Sequence, residues 1–353
     1  MELDMRAYAA RRVAENRPRL AWATMVGEEP GLRPEDWQEI LRQNLRMQLK
    51  PLNLTVREPL EPVVHETVRL DGYRRETVTF TTRPNLTAFG YLLIPDDCPP
   101  NSPAALCLPG HGRGVDSIVG IAEDGSQRGL GEWGEYQADF ALQCVARGFP
   151  TFALEQISFG HRRDERARKE GPGASSCVRD SMAALTLGEC MIGWRVWDAM
   201  RAIDYLATRP EVDPKRIAVL GISGGGTTAL FTAALDVRVA ACVVSGYLNT
   251  FADSILAVPH CVDNFAPGIL TLCEMPDVAG LIAPRLLFAE SGTRDSIFPL
   301  HGFEKATRYV RQIFERLRVP ENLDREVFEN DHVFHGKGAF EFLNRRLRGA
   351  VTP

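Results

Sequence analysis

Hydrophobic positions recur at helical spacing in the first 55 or so residues of the chain. Arg33-Pro34-Glu35-Asp36 is typical of a helix start, with proline in the first turn and acidic groups near the positive end of the helix dipole. The apolar residues that follow share one helical face and are Trp37, Ile40, Leu41, Leu45 and Leu49. We therefore predict an N-terminal helical extension over residues 1–60 that packs across the sheet edge or forms a dimer contact, followed by the main domain over 61–353.

Between residues 62 and 95 the hydrophobic period changes to two. Val64, Glu66, Val68 and Leu70 alternate with their neighbours up to Asp71-Gly72, a pair that favours a tight hairpin. The segments 73–82 and 88–94 continue the alternation. This pattern predicts an antiparallel edge of a sheet.

From residue 104 onward, short apolar runs alternate with helical segments. Strands are predicted at 104–108, 151–154, 216–220, 239–245, 285–290 and 325–328, and helices at 136–147, 177–208, 224–235, 303–317 and 338–347. The helical stretch 177–208 is expected to break near Gly188 or Gly193. Alternating strands and helices are typical of an α/β fold with a mostly parallel, twisted sheet covered by helices on both faces.

Charged residues are concentrated in two stretches. Residues 162–171 form a dense charge run, expected to be a solvated loop or insertion within an inserted segment near 157–176. In 177–208, a core stripe lies opposite a charged face whose spacing of three permits ion pairs, and that face consists of Arg195, Asp198, Arg201 and Asp204. A second insertion is expected near 250–280.

Composition excludes several classes of protein. The 353 residues are 44% hydrophobic and 25% charged, which argues against a disordered chain, a collagen-like repeat or a coiled coil. The 41 basic residues are outnumbered by 46 acidic residues, so the net charge is −5. A general nucleic-acid partner is therefore not expected, because phosphate contacts need a basic surface.

Neither a membrane partner nor a secreted location is expected. The N-terminus lacks a continuous apolar stretch of about 7–15 residues, and the longest apolar runs, such as 239–244, are far shorter than the roughly 20 residues that span a bilayer. The 8 cysteines form no CxxC pair, so we expect reduced thiols in a cytoplasmic protein. Cys261 and Cys273 lie in a less regular region near a pocket, but neither is assigned as a nucleophile.

Gly221-Ile222-Ser223-Gly224-Gly225-Gly226 is the most specific feature of the sequence. It fits G-x-S-x-G between a buried strand and an Ala-rich helix, the context of a nucleophile elbow. A dinucleotide-binding turn would need an acid at the end of the next strand, which ends Val243-Val244-Ser245-Gly246 instead. A P-loop would need Gly-Lys-Ser/Thr, whereas Thr227 follows Gly226. We therefore predict Ser223 as a nucleophile.

A serine nucleophile needs a base and an orienting acid, which follow it on later strand ends in the order acid, then histidine. Asp295 lies just after the strand 285–290 and is the predicted acid, with Glu290 and Asp253 as fallbacks. The predicted base is His332, in the loop after 325–328. His335 is the alternative, but it is closer to the start of the last helix, where the dipole opposes an imidazolium.

The glycine-rich loop 109–114 is expected to supply half of an oxyanion hole. The amide of His111 is the predicted donor, with Gly112 next, and the amide of Gly224 is the second donor. Substrate contacts are predicted for Glu155, after the strand 151–154, and for His260, Asp263 and Glu274 in the irregular segment 257–276, with loop-capping roles as the alternative. His332 and His335 have a metal-like spacing but no third ligand, so neither a metal nor a cofactor is expected.

The chain resembles the α/β-hydrolase superfamily, and within it the dienelactone-hydrolase-like and acetyl-xylan-esterase-like branch. The residues that carry the resemblance are LPGHGRG (108–114), ALEQISFG (153–160), the segment 195–226, the segment 282–299 and DHVFHG (331–336). The resemblance implies an α/β-hydrolase fold and a cofactor-free Ser223–Asp295–His332 triad that hydrolyses carboxylic esters. Dienelactone hydrolases have a cysteine where this chain has Ser223.

The predicted function is a serine carboxylic ester hydrolase that acts on short-acyl esters, such as acetylated carbohydrates or small metabolite esters. Two alternatives remain: a serine peptidase or amidase of the prolyl-oligopeptidase type, and a non-catalytic hydrolase-fold binding protein. Only about 100 residues precede the first core strand, too few for the propeller domain typical of the former. An intact Ser, Asp and His set argues against the latter. The expected partner is a small-molecule ester, and self-association as a homo-oligomer is left open.

Overall fold

Nine strands form one mixed sheet at the centre of the molecule. The computed structural model describes residues 3–28, 31–50, 57–131 and 133–348. Its strands are β1 (Val63–Leu70), β2 (Tyr73–Arg83), β3 (Leu86–Pro95), β4 (Ser102–Leu108), β5 (Thr151–Leu154), β6 (Val212–Ile222), β7 (Val239–Ser245), β8 (Leu286–Gly292) and β9 (Leu323–Phe328). Their spatial order is β1-β2-β3-β5-β4-β6-β7-β8-β9. The six strands from β5 to β9 in this order pair in parallel, and β1–β3 add the antiparallel edge that the sequence predicted.

Helices lie on both faces of this sheet. They are α1 (Met5–Glu15), α2 (Trp22–Glu28), α3 (Pro34–Gln48), α4 (Phe140–Ala146), α5 (Glu165–Glu170), α6 (Cys177–Thr186), α7 (Met191–Leu206), α8 (Gly224–Leu235), α9 (Ile269–Leu272), α10 (Met275–Gly280), α11 (Leu300–Arg316) and α12 (Lys337–Leu347). None of the described helices is long and apolar enough to cross a bilayer.

The sheet separates two hydrophobic cores. On β4, Ala104, Leu106 and Leu108 face the larger core, while Ala105 and Cys107 face the smaller one. The larger core also contains apolar residues of α3, α7, α8, α10 and α11, and the smaller core those of α4 and α12. Because both faces are buried, the central strands are continuously apolar, as expected for parallel strands.

Helix α3 of the predicted extension is part of the larger core. Trp37, Leu41 and Leu45 are fully buried, which confirms the helical face predicted from the sequence. The buried Arg42 donates to the main-chain oxygens of Ala234 and Leu281, at the ends of α8 and α10. The helix therefore packs on the helical layer that covers the sheet. Residues 51–56, next to the predicted boundary at 60, lie outside the described residues.

Two predicted segments differ from the observed elements, and the break predicted in a third is confirmed. The helix predicted at 136–147 begins only at Phe140, because Glu135, Ala138 and Asp139 have positive φ angles of 59°, 50° and 44°, which a right-handed helix does not allow. The charge run 162–171 is not only loop: it contains α5, whose first turn is capped by the Asp164 carboxylate at 2.8 Å from the amide of Ala167. The stretch 177–208 is broken at Gly188, where φ is 74°, and Gly193 lies inside α7.

The charged face of α7 is largely buried. Arg201 does pair with Asp204 at 2.7 Å, as the spacing predicted. Arg195 and Asp198, however, pair outside the helix, with Asp263 at 2.5 Å and Arg162 at 2.6 Å. Helix α7 packs on the sheet through the larger core, and the loops after β5 and β7 supply the partners of Asp198 and Arg195 on its other side.

Candidate active site

Ser223 occupies a strained turn between β6 and α8. Its φ and ψ are 56° and −125°, a combination that non-glycine residues rarely adopt and that costs about 1–3 kcal/mol. The turn is tight: a side-chain carbon on Gly225 would lie 1.9 Å from the main-chain oxygen of Leu108. Every other residue from 221 to 230 is buried, but Ser223 is partly exposed. The structure thus has the strand–turn–helix geometry that the G-x-S-x-G motif predicted.

Asp295 lies in the turn after β8 and is oriented by main-chain groups. Its Oδ1 accepts hydrogen bonds from the amides of Ile297 and Phe298, both at 2.9 Å. Its Oδ2 lies 2.7 Å from Nδ1 of His332, in the loop after β9. The side chains of Asp295 and His332 are 1% and 15% exposed. The carboxylate therefore holds the imidazole with Nδ1 as the protonated nitrogen.

The His332 ring lies against the end of β7, beside the Ser223 turn. The amide of Ser223 donates to the main-chain oxygen of Ser245 at 3.1 Å, and the next residue, Gly246, touches the imidazole. A side-chain carbon on Gly246, whose φ is 49°, would lie 2.8 Å from Cε1 of His332. Nε2 of His332 is buried and has no hydrogen-bond partner among the described residues. The three predicted residues are therefore gathered at the same rim of the sheet.

The fallback residues have other partners. The carboxylate of Glu290 accepts the amides of His335 and Gly336 at 2.9 and 3.0 Å, so it anchors the loop before α12. Asp253 is partly exposed and pairs with Lys305 at 3.2 Å. His335 pairs with Glu326 through Nδ1 at 3.1 Å and stacks on Phe328. None of these contacts involves Asp295 or His332.

The loop after β4 is held by groups that the sequence analysis did not identify. The amide of Gly110 donates to Oε1 of Gln137 at 2.7 Å, and Nε2 of Gln156 donates to the main-chain oxygen of Pro109 at 2.5 Å. The hydroxyl of Tyr136 donates to the main-chain oxygen of His111. Tyr136 also stacks on His332, with ring centroids 5.9 Å apart. Tyr136 and Gln137 belong to none of the quoted motifs, and Gln156 lies in ALEQISFG without an assigned role, so only the fold reveals what the three residues do.

The two predicted oxyanion donors lie next to each other. Gly224 begins α8, so its amide is among the first amides of a helix, which have no intrahelical acceptor. A side-chain carbon on Gly224 would lie 3.3 Å from the His111 ring. The ring itself packs on Phe159 at 4.5 Å, and Gly112 has a φ of 137°, in the region that favours glycine.

A buried polar cluster lies behind the His111 ring. Asp263 accepts Arg195 Nη1 at 2.5 Å and the thiol of Cys177 at 3.0 Å, and its Oδ2 lies 3.4 Å from Nε2 of His111. Burial would raise the pKa of Asp263, but Arg195 and His111 outweigh it and lower that pKa to about 2. The hydrogen bond from the Cys177 thiol lowers the pKa of Cys261, whereas burial raises that of Cys273 well above its usual value. Asp263 is thus an internal ion-pair partner, and the charge it balances is Arg195.

Of the other predicted substrate contacts, Glu155 and Glu274 bind main-chain amides, whereas His260 lies near the rings beside His332. Glu155 is buried below the loop 113–115 and accepts the amides of Val115 and His161, and burial raises its pKa to about 7. Glu274 accepts the amides of Phe251 and Met275 and so caps α10. His260 is half-buried, 5.2 Å from the Phe298 ring, which in turn stacks on His332. Of the three, only His260 stays at the open rim of the site.

Comparison with known proteins supplies the family. A sequence model of the abhydrolase family matches residues 13–326. The chain belongs to this family. Its α/β-hydrolase fold agrees with a crystal structure from Bacteroides fragilis NCTC 9343 described as that of an acetyl xylan esterase, with a TM-score of 0.76 and 21% identity over 93% of this chain and 83% of that one.

Two curated relatives of this abhydrolase are similar in sequence. A Bacillus subtilis (strain 168) protein named as a hydrolase, YtaP, is 26% identical over 264 residues, covering 72% of this chain and 81% of that protein. The acetyl esterase Axe7A of Xylanibacter ruminicola is 46% identical over 111 residues, which cover 28% of this chain and 25% of that protein. The match to Axe7A is thus local, whereas the match to YtaP spans most of both chains.

Proposed function

We propose that this abhydrolase is a serine esterase that cleaves carboxylic esters through an acyl-enzyme on Ser223. The observation that carries the proposal is the strained, partly exposed Ser223 beside an Asp295–His332 pair joined at 2.7 Å. A hydroxyl on such a turn is accessible, while the paired imidazole keeps an unprotonated Nε2 to act as a base. A purely structural turn would not need strain at a serine or a buried nitrogen without a partner.

The catalytic cycle follows from these positions. Oγ of Ser223 attacks the ester carbonyl while Nε2 of His332 takes its proton, and Asp295 stabilises the imidazolium. The amides of His111 and Gly224 receive the oxyanion, an interaction for which a single donor is worth about 10²–10³ in turnover. His332 then protonates the leaving alcohol, and water releases the acid from Ser223 by the same steps. No cofactor takes part in this scheme.

Short-acyl esters, such as acetylated carbohydrates or small metabolite esters, are the proposed substrates. The local similarity to an acetyl esterase and the fold shared with a structure described as an acetyl xylan esterase support an acetyl group. The His332 ring is sandwiched between aromatic neighbours, with Tyr136 at 5.9 Å and Phe298 at 5.7 Å, so the space next to the nucleophile is lined by large side chains. Such a lining suits a small acyl group.

The decisive experiment pairs covalent labelling with a substrate panel. A fluorophosphonate should label the wild-type chain once, and mass spectrometry should place the label on Ser223. Wild type should hydrolyse a chromogenic acetate ester and acetylated xylo-oligosaccharides, whereas Ser223→Ala should do neither. The control Ser126→Ala removes the hydroxyl of an exposed serine that is distant from Ser223 in sequence, and this variant should behave like wild type. A chain that is labelled by the fluorophosphonate and cleaves peptides but not esters would favour the peptidase alternative. A chain that is not labelled would favour a non-catalytic binding protein.

Location and assembly remain predictions. We propose a cytoplasmic location, which fractionation of expressing cells tests. Light scattering on the purified chain would show whether it self-associates.

A further inference from the structure

Four side chains with metal-binding atoms converge behind the His111 ring. They are His111, Cys177, Cys261 and Asp263, and their Nε2, Sγ, Sγ and carboxylate oxygen atoms all lie within 4.8 Å of one another. His111 lies in the loop after β4, and Cys177 is in the first turn of α6. Cys261 directly precedes the short 3-10 helix Val262–Asn264, which contains Asp263. This convergence is independent of the Ser223–Asp295–His332 set, which contains none of the four residues.

We propose that these four side chains form a binding site for a soft divalent cation such as Zn²⁺. Zinc in proteins is held tetrahedrally by cysteine sulfur at about 2.3 Å and histidine nitrogen at about 2.0–2.1 Å, so donor atoms in a formed site are about 3.3–3.8 Å apart. In the structure the Cys177 sulfur lies 3.0 Å and the His111 Nε2 3.4 Å from Asp263 Oδ2. Small rotations of the side chains would therefore complete the tetrahedron.

The His111 nitrogen is the strongest indication of a ligand. Nε2 is buried and has no hydrogen-bond partner within the described ranges, because its approach to Asp263 lacks hydrogen-bond geometry. A buried ring nitrogen without a partner carries a desolvation cost, which coordination to a cation would remove. The His111 and Cys261 side chains are only partly buried, so a cation can reach the cluster from the pocket.

Arg195 contacts two of the four proposed ligands and balances the charge of the cluster. Its guanidinium is 3% exposed and donates to Asp263 at 2.5 Å and to the Cys177 sulfur at 3.1 Å. When Zn²⁺ binds, two S–Zn bonds form and two S–H bonds break, with both thiol protons leaving to water. With a neutral His111, two thiolates and one carboxylate then face one divalent cation and one guanidinium, so the net charge of the cluster is zero before and after binding. Donors to coordinating thiolates are typical outer partners of metal sites.

A second cluster with metal-binding atoms provides a contrast. Glu290, Glu326 and His335 also bring three such atoms within 4.8 Å. There, both oxygens of Glu290 accept amides, and Glu326 accepts the amide of Gly338 at 3.0 Å. The cluster contains no sulfur ligand, so it does not fit a soft cation.

The test measures metal binding without substrate, so it does not depend on the proposed esterase activity. The full chain, reduced and stripped with a chelator, is titrated with Zn²⁺ in competition with a chromophoric chelator, and in parallel with Co²⁺. We expect one Zn²⁺ per chain, and a Co²⁺ spectrum with thiolate charge-transfer bands and the intense d–d bands of tetrahedral coordination. Absence of stoichiometric binding, or a Co²⁺ spectrum without thiolate bands, would overturn the proposal.

Two variants and a matched control assign the ligands. Cys261→Ser and His111→Gln should each weaken Zn²⁺ binding by more than about 100-fold, because loss of a direct ligand exceeds the effect of losing an outer partner. Cys98→Ser changes another partly buried free cysteine and should bind like wild type. Equal affinity in Cys261→Ser, His111→Gln and wild type, with all three showing the same circular dichroism, would also reject the site.

Discussion

The two sides of the candidate active site are built in different ways. On one side, Ser223, Asp295 and His332 each follow a parallel strand: β6, β8 and β9. On the other side, the wall behind His111 is assembled from Cys177 and Arg195 on neighbouring helices and Asp263 in a connecting turn. The first side depends on sheet topology, which gathers the carboxyl ends of parallel strands at one edge. The second depends on long-range packing of buried charges, which no local pattern specifies.

The largest expected effect tests the strand-end side. Asp295→Asn should lower kcat by about 10⁴-fold. Oδ1 of Asp295 already accepts two amides, so the asparagine oxygen would keep that position and its NH₂ group would face Nδ1 of His332. That contact favours the wrong tautomer, and Nε2 would no longer accept the serine proton. Steady-state kinetics on an acetate ester measures the loss.

Asp253→Asn is the control for this change, because Asp253 was a fallback acid and pairs with Lys305 instead. It should retain near wild-type kcat. If Asp253→Asn lost activity and Asp295→Asn kept it, the strand-end side would have been assigned to the wrong acid.

The next effect tests the packed wall through stability. Asp263→Ala should lower the free energy of unfolding by about 3–5 kcal/mol, because it leaves the buried Arg195 without its carboxylate. Urea denaturation of the chelator-treated chain measures it. Asp213→Ala removes a partly exposed partner of Arg216 and should cost less than about 1 kcal/mol. Equal costs for the two variants would mean that the wall is not built on the buried pair.

A third effect concerns the pH dependence of stability at Glu155. Burial raises its pKa from 4.5 to about 7, so the folded chain keeps a proton that the unfolded chain releases in that range. The protonated Glu155 therefore contributes about 3 kcal/mol to the free energy of unfolding below about pH 4.5, and this contribution is lost as the pH rises through about 7. Glu155→Gln should flatten this decline in urea unfolding measured from about pH 4.5 to 7.5.

Glu274 also has a pKa raised to about 7 by burial and should contribute a similar decline. Glu274→Gln is therefore the matched variant, and the double variant should be flatter than either single one. A wild-type curve without any decline in this range would contradict the assignment.

The smallest effect tests the junction between the two sides. Tyr136 stacks on His332 and donates its hydroxyl to the main chain of His111. Tyr136→Phe removes one hydrogen bond, worth about 1 kcal/mol, and should lower kcat by about five-fold while the protein stays folded. Tyr73→Phe removes a buried hydroxyl without a hydrogen-bond partner in the described part of the chain, and should leave kcat unchanged. If Tyr136→Phe and Tyr73→Phe had the same kcat, the contact of Tyr136 with His111 would not connect the two sides of the site.

Local patterns predicted the strands and the site residues that follow them. The elbow motif identified Ser223, and strand ends identified Asp295 and His332, which the structure joins at 2.7 Å. Prediction was weaker for positions that depend on unusual backbone or on burial. The start of α4 was placed too early because left-handed residues precede it. The pairing of Arg195 with Asp263 and of Asp198 with Arg162 was not predicted because these partners are distant in sequence.

The sequence by itself determined the alternation of strands and helices, the turn that exposes Ser223 and the strand ends that carry Asp295 and His332. These follow from hydrophobic period and from glycines in a tight turn, which are properties of neighbouring residues. Only the tertiary structure decided that Tyr136, Gln137 and Gln156 hold the loop after β4, and that His111, Cys177, Cys261 and Asp263 meet. The reason is that a buried polar group is satisfied by whichever partner packing brings to it, at any distance along the chain.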